Sequence, residues 1–145
     1  MTVRVERVFE FNVAPERVWA FIADPAKRAD AISVVTNYTV NERNGQKGVW
    51  HVELPIPLIR RTITVKTEDI DVQPPEYVKF VGRSKVMTVT GEHIIEATET
   101  GSRLTNRFVV DGAVPGVETF FKRNLDGELE NLRRALEADF RRDDD

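Results

Sequence analysis

Residues Pro115 to Phe140 read PGVETFFKRNLDGELENLRRALEADF, and this stretch decides the fold. Val117, Phe121, Leu125, Leu129, Leu132, Leu136 and Phe140 recur at steps of four and three, which is one apolar stripe on a helix. Glu118–Lys122, Glu130–Arg134 and Glu137–Arg141 are acid-before-base pairs four apart on its outer side. From Gly116 to Phe140 the helix spans about 37 Å at about 1.5 Å per residue, enough to cross a sheet. The chain before it reads mostly as strands, so the stripe must lie on a sheet. The expected architecture is a sheet wrapped around a helix, with a pocket between them.

Working outward, residues 2–12 alternate, with Val3, Val5, Phe9 and Phe11 on one face and Arg4, Glu6 and Glu10 on the other. Ala14-Pro15-Glu16 opens a helix, with Pro near the first position and an acid in the first turn. Val18, Trp19, Phe21 and Ile22 supply its apolar side, and Asp24-Pro25 breaks it. Ala26 to Ile32 forms a second short helix. Strands follow at 34–42, ending at the turn signal Asn44-Gly45, and at Val49 to Leu54. Pro55-Ile56-Pro57 interrupts the ladder. Arg61 to Val72 is long and β-branched, and its apolar parity shifts between Val65 and Ile70, which predicts a bulge. Tyr77 to Arg83, Val86 to Thr98 and Arg103 to Asp111 complete seven strands, the last two joined at Thr100-Gly101-Ser102. Consecutive strands joined by tight turns are antiparallel. The fold class is α+β: a seven-stranded antiparallel sheet around a long C-terminal helix, with two short helices after the first strand.

At 145 residues the chain reads as one domain over 1–145, able to bury a sizeable core without staples. It has no Cys, so it offers no disulfide, no thiolate nucleophile and no Cys-based metal site. A net charge of −3 argues against nucleic acid as a partner. No segment approaches the ~20 apolar residues of a membrane span, and the N-terminus lacks a signal-peptide core, so the expected location is cytoplasmic. The tail from Arg141 to Asp145 reads as solvated.

Strand parity assigns the inner face. It carries Trp50, Val52 and Leu54; Val78, Phe80 and Gly82; Met87, Val89, Gly91, His93 and Ile95; and Leu104, Asn106, Phe108 and Val110. Arg7 falls on the apolar face of the first strand. Arg7, His93 and Asn106 are therefore polar groups on an apolar wall. One reading has them hold a ligand's carbonyl, hydroxyl or carboxylate, with Arg7 as anion anchor and His93 as hydrogen-bond donor or acid–base group. The other has them satisfy one another and the backbone. Trp50, Phe80, Met87 and Phe108 read as apolar cavity wall. Phe120, Phe121 and Asn124 lie in the first turns of the long helix, where such a cavity opens. Gly127, interior to that helix, reads either as a kink at the mouth or as an exposed position under little constraint. Leu54 to Ile59 reads as a lid, as a contact surface for a membrane or a second subunit forming a homodimer, or as a strand edge folded onto the core.

Orthodox catalytic signals are poor. The two His, His51 and His93, lie on different strands, and no HExxH or other metal spacing occurs, so no metal is expected. Ser33, Ser84 and Ser102 sit at element edges and no GxSxG is present. No P-loop or GxGxxG occurs, and no cofactor is called for.

The element order, the segment APERVWAFIADP after the first strand and the terminal GVETFFKRNL…LRRALE resemble the START-like superfamily. This group includes polyketide cyclase/dehydrase-like, Bet v 1-like and coenzyme Q-binding proteins. The resemblance covers essentially the whole chain and implies a helix-grip fold. It carries no catalytic residue over, because Val18, Trp19 and Asp24-Pro25 are structural marks. The aromatic, aliphatic interior with very few inward polar groups points to carriage or sensing of a hydrophobic small molecule or lipid without catalysis. The alternatives are a cyclase or dehydratase of a polyketide-like substrate, with His93 or Arg7 polarising a carbonyl, and a protein-interaction module.

Overall fold

The computed structural model describes residues 2–41, 43, 46–56, 59 and 61–143. Its elements run β1 (Thr2–Phe11), α1 (Pro15–Ile22), α2 (Pro25–Asp30), β2 (Val35–Val40), β3 (Lys47–Val52), β4 (Ile63–Gln73), β5 (Tyr77–Arg83), β6 (Met87–Ala97), β7 (Ser102–Gly112) and α3 (Val117–Asp143). The seven strands form one antiparallel sheet in the order β1-β7-β6-β5-β4-β3-β2. Strands β2 to β7 meander as their tight turns require. Strand β1 leaves the local order and pairs with β7, Val5 opposite Phe108 and Arg7 opposite Asn106.

All seven stripe residues of α3 are buried, from Val117 at 0% to Phe140 at 8% exposure. Gly116, just before α3, has a φ of 96°, a left-handed conformation that favours glycine. Helix α3 extends to Asp143, one turn beyond the expected end. Its ion pairs are partly re-sorted: Glu130 meets Arg134 at 3.9 Å, but Glu137 meets Arg133 at 2.6 Å. Asp24, read as a helix breaker, is also the N-cap of α2, accepting from the Ala26 amide at 2.9 Å with Pro25 in the first turn.

Helix α3 is tied to the rest of the fold at two levels. Near its C-terminus, Asp139 accepts from Arg17 of α1 at 3.0 Å and from Lys27 of α2 at 3.2 Å. Burial opposes ionisation of Asp139, but these donors outweigh it and hold the carboxyl below its ordinary range. Farther up, Arg7 of β1 reaches Asp126 at 2.6 Å and Glu130 at 3.6 Å.

The expected bulge falls in β4 at Ile70. Asp69 pairs with Phe80 and Asp71 with Lys79, leaving Ile70 as the extra residue, 51% exposed. Leu54 and Ile56 pack into the core, and Ile56 lies where a side chain on Gly116 would go. The first part of the apolar loop therefore folds inward as core. The expected turn at Asn44-Gly45 and the loop positions Pro57 and Leu58 lie outside the described residues.

Candidate functional site

The inner sheet face and α3 enclose a cavity of about 50 Å³. Strands β3, β5, β6 and β7 supply Trp50, Phe80, Met87, His93 and Phe108 to its wall, and α3 supplies Phe121, Leu125, Leu129 and Leu132. The segment after α2, with Ile32, Val34 and Val35, closes one side. Among the described residues its lining is apolar apart from Arg28, His93 and Glu128.

His93 is 1% exposed. Its Nδ1 lies 2.8 Å from Asn106 Oδ1, and Asn106 Nδ2 donates to the Arg7 carbonyl at 3.2 Å. An amide oxygen only accepts, so Nδ1 carries the proton and Nε2 presents a lone pair. Burial, then the nearby Arg28 charge, push the imidazole from its ordinary 6.5 down to about 3, against the Asn106 bond. His93 is neutral at physiological pH. Nε2 has no hydrogen-bond partner among the described residues. Around the imidazole, Phe80 stacks at 6.3 Å between centroids and Phe108 meets it edge-on at 5.6 Å. The Phe80 ring lies across Gly91 on the neighbouring strand, and a Cβ at that position would collide with the ring. Gly91 is therefore what lets the ring lie beside His93.

The second polar element is an ion pair that parity reading missed. Arg28 of α2, 6% exposed, donates to the Ile22 carbonyl at 2.6 Å and to Asp69 of β4. Its guanidinium lies 5.3 Å from the centroid of the Phe80 ring. Burial moves Arg28 below and Asp69 above their ordinary ranges, and each partner's charge opposes the shift. The signal was present: the alternation Ile63, Val65, Thr67 continues inward to Asp69, and only the apolar Ile70 suggested otherwise. Arg28 had no comparable signal, because a basic residue on a short helix reads as solvated.

Six of the ten expected site residues meet on the cavity wall: Trp50, Phe80, Met87, His93, Phe108 and Phe121. Asn106 stands behind His93 as its hydrogen-bond partner. The other three are placed elsewhere. Arg7 turns to the carboxylates of α3, so Arg28 is the guanidinium on the wall. Asn124 is exposed and donates back to the Phe120 carbonyl at 2.8 Å, one helical turn earlier. Phe120 packs edge-on against Phe121 outside the cavity. Gly127 faces open space, with nothing within 4 Å of an added Cβ, and so takes its blander reading. The cavity thus lies under the middle of α3 rather than its first turns. At its edge, Glu128 accepts from the Ser33 amide at 2.8 Å and from the Ser33 hydroxyl, which latches the α2–β2 segment to α3.

Among the described residues, no cluster of His, Asp and Glu could hold a metal. No described helix is long and apolar enough to cross a membrane.

No curated protein is matched by sequence. Solved structures share the fold at low identity. The Zhui aromatase/cyclase from Streptomyces sp. R1128 is 15% identical with a TM-score of 0.71, covering 98% of this chain and 96% of its own. A START superfamily protein from Mycobacterium smegmatis is 13% identical with a TM-score of 0.70, covering 93% and 94%. TTHA0849 from Thermus thermophilus is 17% identical with a TM-score of 0.69, covering 95% and 98%. The family model described as "Polyketide cyclase / dehydrase and lipid transport" matches residues 2–137. With a helix-grip architecture and a family match over nearly its whole length, the chain belongs to the polyketide cyclase/dehydrase and lipid transport family.

Proposed function

We propose that the protein binds a hydrophobic small molecule or lipid between the sheet and α3, as a carrier or sensor. The observation that carries this reading is an apolar chamber under α3 with His93 in its wall, whose Nε2 has no partner among the described residues. Such a site selects apolar bulk and orients it through very few polar contacts. At about 50 Å³ the chamber is small. Pockets that bury drug-sized ligands are roughly 300–1,000 Å³. A lipid-sized guest therefore requires α3 and the segment after α2 to part, and Ser33–Glu128 is the contact that must open. Native mass spectrometry of mildly purified protein, with displacement of an apolar dye by fatty acids, quinones and aromatic polyketides, tests the reading. The expected result is a bound mass or displacement by at least one class. Neither, across all three classes, overturns it.

A second reading, a cyclase or dehydratase, is favoured by one observation: a neutral imidazole and a guanidinium share the same apolar wall. A neutral His93 would act as proton acceptor and Arg28 as the cation facing a developing oxyanion. This reading expects turnover of a polyketide-like substrate that His93→Ala abolishes in a folded variant. Turnover unchanged by that substitution removes it.

A further inference from the structure

His93 Nε2 and Ser102 Oγ are the two buried side-chain polar atoms without a partner among the described residues. Ser102 begins β7 away from the cavity, but His93 is part of the cavity wall. Its side chain leaves the inner face of β6, with Nδ1 spent on Asn106 beside it in the sheet. Nε2 lies at the far end of the ring from the backbone, fully buried, and the ring is part of the wall of the space beneath α3. The tautomer is set from behind. Asn106 Nδ2 is committed to the Arg7 carbonyl, so Oδ1 faces the imidazole and Nδ1 must donate. What His93 has left to offer is a lone pair and no proton.

We propose that the cavity selects ligands carrying a hydroxyl, a phenol or enol on an apolar ring, whose O–H donates to His93 Nε2. A carbonyl or ether oxygen meets a lone pair there and is disfavoured; an isosteric methyl leaves the acceptor as unpaired as it already is and gains no bond. The aromatic neighbours Phe80 and Phe108 suit a flat ring. The imidazole, kept neutral by burial, retains this preference down to acidic pH. This proposal rests on the cavity being a binding site at all, and it adds the sign of the polar contact.

Phenol and toluene are matched in size and differ in the O–H. Calorimetric titration of both into the wild type and His93→Phe is the test. The expected result is that His93→Phe weakens phenol on the order of tenfold and leaves toluene within about twofold. Equal changes for the two overturn the proposal, since packing alone then explains them. Should His93→Phe not fold, nitrogen NMR of the wild type decides. The expected spectrum shows a protonated Nδ1 and a bare Nε2 that responds to phenol and not to toluene. A protonated Nε2, or equal responses, overturns the proposal while leaving the binding reading intact. Binding of neither molecule, nor of any guest in the dye-displacement assay, overturns both.

Discussion

Asp69 and Ile70 are neighbours in sequence with inverted fates: the acid is buried and the aliphatic side chain is half in water. The bulge causes the inversion, and the burial of Asp69 is what gives Arg28 a partner. Removing one member of such a pair strands a charge at low dielectric, so Asp69→Asn should cost about 3–5 kcal/mol. Ile70→Thr should change stability by about 0.5 kcal/mol or less. Urea unfolding of both variants checks the contrast; similar losses would mean that the bulge lies elsewhere. His93 makes a prediction about pH. Its folded-state value of about 3 lies below the ordinary 6.5, so between these values the unfolded chain binds a proton that the folded chain does not. Stability from this group is complete above 6.5 and declines as pH falls toward 3, at about 1.4 kcal/mol per pH unit. His93→Phe should flatten the profile of unfolding free energy against pH over that window. An unchanged slope would show that the ring titrates normally.

At the level of elements, α3 combines an unbroken apolar stripe with a glycine that touches nothing. If Gly127 is merely exposed, Gly127→Ala should stabilise by about 1 kcal/mol, or about 2–4 °C in melting temperature. A loss of stability would instead reveal a bend that needs glycine. The latch between the α2–β2 segment and α3 concerns ligand entry. Glu128→Ala removes the acceptor of both Ser33 bonds and should speed uptake of an apolar dye several-fold in stopped-flow fluorescence. An unchanged rate would place the opening somewhere else. Periodicity reported the stripe, the two short helices and the bulge, because each leaves a local mark in the spacing of apolar residues. It could not report the latch, which joins residues far apart in the chain.

For the molecule as a whole, the sequence by itself determined the element order, the antiparallel sheet, the inner faces of β3, β5, β6 and β7 and the burial of the α3 stripe. Those features follow from alternation at period two, from helical spacing and from turns too short for any other connection. The inner-face parity also brought Trp50, Phe80, Met87, His93 and Phe108 to one wall. Tertiary structure alone decided that β1 closes beside β7, which puts the Arg7 carbonyl behind Asn106 and so sets the tautomer of His93. It alone turned Arg7 to the acids of α3 and brought Arg28 to the cavity in its place. It also set the cavity's small volume and its position under the middle of α3. The physical reason is the same in each case. A polar side chain on an apolar face is stable only with a partner, and its partner here comes from a strand or helix distant in sequence, whose approach no local pattern records.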